Sequence, residues 1–176
     1  MKKSKLYLLI VVFIMVFSLA ACGGDSASDD ADSDGGAEAE TVYYLGETWT
    51  VDGQWEMTIT GIELTDYRNE YFDEEPAEVY LVSYEYTNLG YVDSSEIMDG
   101  LYLNISYQVV DAAGEMAYEY DSDVTKYPAE VPVNANCKVV VPIGVNNPGE
   151  DITVYMDEFD GNDEIQKATF KLTQRD

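Results

Sequence analysis

The residues from Val42 to Asp176 predict an all-β domain built as a β-sandwich, and three observations carry that expectation. Apolar residues recur at every second position in short runs. Turn signals such as Asp52-Gly53, Asp111-Ala-Ala-Gly114 and Asn146-Asn147-Pro148-Gly149 punctuate those runs. No stretch of the domain holds a helical period.

The elements follow in order. Thr48 to Val51 and Trp55 to Thr60 alternate with period two, and Asp52-Gly53 between them is a hairpin turn. Gly61 followed by Ile62 and Leu64 shifts the phase as a β-bulge does. Glu63 to Glu78 holds seven acids, one arginine and Pro76 without a period, and reads as a long exposed connection. Val79 to Asn88 is the central strand, with Tyr80, Val82, Tyr84 and Tyr86 on one face. Leu101, Leu103, Ile105, Tyr107 and Val109 predict another strand, and Glu115 to Tyr120 a short returning one. Cys137, Val139, Val141, Ile143 and Val145 share a face, while Pro142 in that run predicts an edge strand or a bulge. Ile152, Val154 and Met156, then Ala168, Phe170 and Leu172, close the domain. Strands this short and this many predict a sandwich rather than a βαβ fold.

The same alternation assigns faces to the large rings. Trp49, Trp55, Tyr80, Tyr84 and Tyr107 fit the inner faces, where large rings fill a sandwich core. Tyr102, Tyr118, Tyr120 and Tyr155 are expected outside, as scattered rings or as a contact platform for a protein or a sugar. Cys137 is expected to be a small, inert core residue.

The chain before Val42 is of a different kind. Lys2, Lys3 and Lys5 precede an apolar run from Leu6 to Ala21. Those sixteen residues are short for a membrane span and suit a secretory signal. Leu19-Ala20-Ala21-Cys22 resembles a bacterial lipobox. That resemblance implies cleavage between Ala21 and Cys22, with a diacylglyceryl group on the Cys22 thiol. A single acyl chain binds membranes only marginally, whereas two or three hold firmly. The expected division is therefore residues 1–21 as signal peptide, 22–41 as lipid-anchored linker and 42–176 as the folded domain. The linker Gly23 to Glu40 carries seven acids and nothing larger than Glu, so it cannot bury enough apolar area to fold. As a coil it would reach roughly 25 Å. Asp30, Asp32, Asp34 and Gly35 match the start of an EF-hand calcium loop, but the twelfth position is Thr41 rather than Glu.

Composition excludes several classes of function. Cleavage removes three lysines and moves the formal charge from -26 to -29, which repels nucleic acid. There is no histidine, so Ser-His-Asp and Cys-His pairs and imidazole metal sites are ruled out. No phosphate loop, nucleophile elbow or Cys-x-x-Cys occurs. With Cys22 committed to lipid, Cys137 is the only thiol left, so no internal disulfide can form. Two acid clusters are candidate calcium loops: Asp73, Glu74, Glu75 and Glu78, and Asp157, Glu158, Asp160, Asp163 and Glu164.

Four segments taken together resemble a known family. They are LGETWTVDGQWEMTITGIEL from Leu45, VYLVSYEYTN from Val79, YQVVDAAGE from Tyr107, and VPVNANCKVVVPIGVNNPGEDITVYM from Val131. Their order is similar to that in an uncharacterised family of bacterial extracellular lipoproteins. Members carry an immunoglobulin-like sandwich, similar in fold to a small secreted mycobacterial antigen. The Tyr-Thr-Asn88 strand end and the Asp111 to Gly114 turn carry most of the likeness, and the acidic insert at Glu63 to Glu78 departs from it. The resemblance implies a fold, and it brings no catalytic residue, cofactor or metal. The expectation is a membrane-anchored lipoprotein facing the extracellular or periplasmic side. Its domain would bind an extracytoplasmic protein or envelope component without catalysis. The alternative is a calcium-responsive surface module.

Overall fold

The computed structural model describes residues 41–93, 100–123 and 125–173. The lipobox, Cys22, the linker and its partial calcium motif lie outside those residues.

Among the described residues, nine strands form two sheets. They are β1 (Val42–Tyr44), β2 (Thr48–Val51), β3 (Trp55–Thr65), β4 (Glu78–Asn88), β5 (Val109–Val110), β6 (Tyr118–Glu119), β7 (Asn136–Val145), β8 (Thr153–Phe159) and β9 (Ile165–Lys171). One sheet has the order β2-β3-β4-β7-β6 and the other β1-β9-β8-β5. The described residues contain no helix, and the all-β sandwich that the sequence predicts is the fold observed. Pairing is antiparallel except between β1 and β9, which run parallel.

The core forms where the inner faces meet. Directly paired residues point to the same side of a sheet. Tyr80, Val82, Tyr84 and Tyr86 of β4 therefore lie beside Ile143, Val141, Val139 and Cys137 of β7. Trp49, Trp55, Met57 and Ile59 continue that face, and Val154, Met156, Ala168 and Phe170 close it from the other sheet. Trp55 takes two aromatic neighbours edge-on, Trp49 with centroids 5.5 Å apart and Tyr91 at 5.7 Å. The buried tyrosine hydroxyls find backbone partners. Tyr84 donates to the Leu103 carbonyl at 3.0 Å, and Tyr86 to that of Ala129 at 2.6 Å.

Several local expectations hold. The 52–53 hairpin joins β2 to β3, and the register of β3 against β4 shifts between Ile59 and Gly61. Cys137 sits on the inner face, half-buried against the core. The edge strand or bulge expected at Pro142 is not found: β7 lies between β4 and β6 and pairs β4 without a register shift, with β6 and a bridge from Lys126 on its outer side. The Pro142 carbonyl accepts the Tyr120 amide at 2.9 Å. The amide and carbonyl of one strand residue point to the same side, so the missing donor faces β6 and the β4 ladder is intact.

Other expectations need correction. Residues 101–109 bury Leu101, Leu103, Ile105 and Val109 in alternation, yet only Val109–Val110 forms a strand. A turn intervenes, closed by the Gln108 amide on the Ile105 carbonyl and by Asn104 Oδ1 accepting the Ser106 amide. It throws Tyr107 outward to 73% exposure instead of inward. Tyr120 is the converse case, expected outside but only 2% exposed. The chain near it changes sheets. Met116 bridges Val110 in one sheet, and Tyr118–Glu119 then pairs with β7 in the other.

Candidate functional site

The connection at 63–78 is shorter than its composition suggests, and most of it is exposed as expected. β3 runs on to Thr65 and β4 begins at Glu78, which leaves 66–77 as the insert. That insert folds back over the outer face of the five-stranded sheet. The Asn69 amide donates to the Tyr120 hydroxyl at 2.7 Å, and Asn69 Nδ2 donates to Asp121 at 3.1 Å. Asn69 Oδ1 accepts the Tyr71 amide, and its carbonyl accepts that of Phe72, so residues 69–72 form a tight turn. Arg68 Nη1 donates to the carbonyls of Thr65 at 2.9 Å and Tyr67 at 2.7 Å, bracing the loop from within.

This turn delivers Phe72 to the rings of β6. Its centroid lies 4.7 Å from Tyr120, edge-on, and 6.3 Å from Tyr118, stacked at 8°. Pro76 is buried beneath, and Val79 is fully enclosed although it points away from the main core. Gly144 makes the space. A methyl group there would stand 2.7 Å from the Tyr118 ring and 3.2 Å from Pro76 Cβ. The result is a small second apolar cluster outside the sandwich.

A cleft of about 410 Å³ opens at this cluster, lined by Phe72, Pro76, Tyr120, Arg68, Asn69, Glu70, Glu74 and Glu75. Burial, then Glu74 and Tyr120, pushes the Tyr118 phenol above its usual value. Tyr67 is raised as well, by desolvation and then by Asp123, Asp121, Tyr120 and Glu70. Burial is the main cause at both phenols, and Glu74 at Tyr118 and Asp123, Asp121 and Glu70 at Tyr67 add to it. Two other clefts of about 440 Å³ lack this combination. One holds Ile62, Tyr80, Glu150, Ile152 and Leu172, and the other lies by Thr60, Ser83, Glu85, Lys126 and Lys138.

The second acidic segment is built differently. Asp160 Oδ1 accepts the amides of Asn162 at 2.8 Å and Glu164 at 3.1 Å, and Oδ2 accepts Gln166 Nε2 at 2.9 Å. The Glu164 amide above all, with Asn162 and Gln166, outweighs desolvation and holds this carboxyl below its ordinary value. Asp111 repeats the design. Its Oδ1 accepts the amides of Ala113 and Glu115, and its Oδ2 takes both the amide and Nδ2 of Asn147. Burial pushes the Asp111 carboxyl up, but those hydrogen bonds prevail and its pKa is lowered. Beside Asp160, desolvation and then Asp157 push Glu158 up to about 7.

The expected site residues divide accordingly. Glu74 and Glu75 reach the cleft, whereas Asp160 is the hydrogen-bonded centre of a turn. Tyr118 and Tyr120 form an aromatic cluster with Phe72, while Tyr102 and Tyr155 lie exposed elsewhere. Among the described residues, no three Asp, Glu or Cys side chains are arranged to hold a metal ion. Phe72 had no periodic neighbour to flag it. Asn88, the end of the Tyr-Thr-Asn motif, is a structural staple, donating to Val131 and Tyr91 carbonyls and accepting the Tyr91 amide.

With this geometry in hand, the fold has a known counterpart. The chain is similar to the yjhA protein from Bacillus subtilis, known from a crystal structure, at a TM-score of 0.53. The match covers 74% of this chain and 98% of that one at 14% identity, and a likeness so distant shows the fold alone. No protein-family model matches the chain, and no curated protein does.

Proposed function

We propose that this chain is a bacterial membrane lipoprotein, cleaved after Ala21 and held by acylated Cys22. Its extracytoplasmic sandwich acts as a non-catalytic binding or scaffolding module for a component of the cell envelope. On this reading it is one of the uncharacterised extracellular lipoproteins with an immunoglobulin-like domain, a reading with which the two-sheet fold is consistent. The observation that carries the binding role is the insert. A sandwich whose core is already enclosed uses 66–77 to raise a second apolar cluster and a charged cleft on its outer face. Concave sites with aromatic walls and a few convergent polar groups are the usual form of a ligand pocket. The cleft holds acids, an asparagine and an arginine, but no cysteine, serine or histidine to act as a nucleophile or as its base.

The test is made in the native envelope. Membrane-extracted chain should carry diacylglyceryl mass on Cys22 and no leader, and Cys22→Ala should be released from the membrane. A variant with 66–77 replaced by a short turn should remain anchored and lose its cross-links to envelope material. Undiminished membrane retention of Cys22→Ala would sink the anchor. Unchanged cross-linking without the insert would sink the binding role.

A further inference from the structure

We propose that the cleft on the insert binds an organic ammonium group, with Phe72 and Tyr120 as its wall and Glu70, Glu74 and Glu75 as its rim. This rests on the binding role argued above and names the chemistry of what is bound. The first reason is the wall. Phe72 and Tyr120 stand edge to face at 4.7 Å and both line the cleft; Tyr120 is only 2% exposed and backs the half-buried Phe72, whose ring carries the aromatic contact. The face of an aromatic ring is the negative end of its quadrupole and attracts an alkylated ammonium that hydrates weakly.

The rim supplies the second reason. Glu70, Glu74 and Glu75 line one cleft, and Asp121 and Asp123 lie close enough to act on Tyr67, the residue before Arg68 of the lining. The ion pairs among the described residues, Lys138 with Glu85 and Lys167 with Asp157, are on other strands, so these rim carboxylates are not neutralised by a lysine. Arg68 is the one cation in the lining, and its Nη1 is already taken up by the Thr65 and Tyr67 carbonyls. Three carboxylates against that guanidinium leave the cleft negative. An anionic ligand is opposed there, and a chain carrying 35 acidic and 9 basic residues adds a long-range field of the same sign. The acids give attraction at a distance and the rings give selectivity for an organic cation over a small, strongly hydrated one.

The test uses the full chain in non-ionic detergent micelles, titrated calorimetrically with choline. Its uncharged carbon isostere, 3,3-dimethylbutan-1-ol, serves as one control and potassium chloride at equal ionic strength as the other. Choline should bind saturably and at least about tenfold more tightly than the alcohol, the scale of a desolvated cation–π contact. Phe72→Leu keeps the apolar volume and removes the quadrupole. It should weaken choline about fivefold and leave the alcohol within about twofold. Glu74→Gln with Glu75→Gln should also weaken choline alone, whereas Glu56→Gln on the exposed face of β3 should change nothing. Equal affinity for choline and the alcohol would overturn the cation assignment while leaving the cleft a binding site. A response to choline no larger than that to potassium chloride, and indifferent to Phe72→Leu, would overturn the proposal outright. Neither result bears on anchoring through Cys22, which is read separately.

Discussion

Two acid-rich segments of similar composition, 66–77 and 157–164, have opposite uses of their carboxylates. In the second, Asp160 turns inward on its own loop and accepts two backbone amides and Gln166. In the first, the carboxylates of Glu70, Glu74 and Glu75 are gathered around a cleft with aromatic walls. The difference is whether the loop's own donors reach the acid. A carboxylate saturated by its own amides is part of the scaffold, and one facing a cavity is available to a ligand. Acidity in the sequence does not distinguish the two.

The largest expected effect breaks the scaffold side of the comparison. Asp111→Ala removes a buried carboxylate and strands the backbone amides of Ala113, Glu115 and Asn147 that it receives. An unsatisfied buried network of this kind costs about 3 kcal/mol, or a fall of roughly 10 °C in a thermal melt. Asp160→Ala should also lower the melting temperature, by less, because its turn lies at the tip of the β8–β9 hairpin. A drop below about 3 °C for Asp111→Ala would show that the turn is held by something other than its aspartate.

Next comes pH. Asp111 and Asp160 have folded values below the ordinary 3.8, so their stabilisation is complete above that value and lost as pH falls through the folded one. Glu158 has the opposite sign. Its folded value of about 7 lies above the ordinary 4.5, so the stability contributed by its protonated form is present below 4.5 and lost as pH rises towards 7. Glu158→Gln should therefore raise the melting temperature by a few degrees at pH 8 and flatten its dependence between pH 5 and 7. An unchanged slope would remove Glu158 from the account.

The insert side is probed by Gly144→Ala. The added methyl meets the Tyr118 ring and Pro76, and overpacking of this degree costs about 1–2 kcal/mol. Limited proteolysis should then cut first within 66–77, while cutting confined to other loops would mean that the insert is not held by that contact. The smallest effect compares the two turns directly. Gly114 has φ +84° and Asp163 φ +63° at the same position of each turn. Gly114→Ala should cost about 1 kcal/mol, whereas Asp163→Gly should stay within about 0.5 kcal/mol, because Asp tolerates the left-handed region.

The strand pattern was legible because burial follows period two wherever both partners are long. β3, β4 and β7 came directly from Trp55, Tyr84 and Val141 and their neighbours. Tyr107 went astray because Asn104 and Ser106 close a turn inside an alternation that continues in sequence but not in space. The cleft was hidden for a related reason. Phe72, Tyr118 and Tyr120 are separated by the whole of β4 and β5 and meet only because β6 crosses to the outer side of β7. Periodicity within one strand carries no trace of such a meeting.

On the proposed function, the insert and not the turn at 160–163 meets the envelope partner. Site-specific photocross-linking in native membranes tests it most directly, with the photoreactive residue placed at Tyr71, which is 87% exposed, or at Asn162 in the other acidic loop. A discrete adduct from Tyr71 that is lost with Phe72→Leu, and none from Asn162, is the expected result. Adducts of equal yield from both positions, or from Asn162 alone, would contradict it.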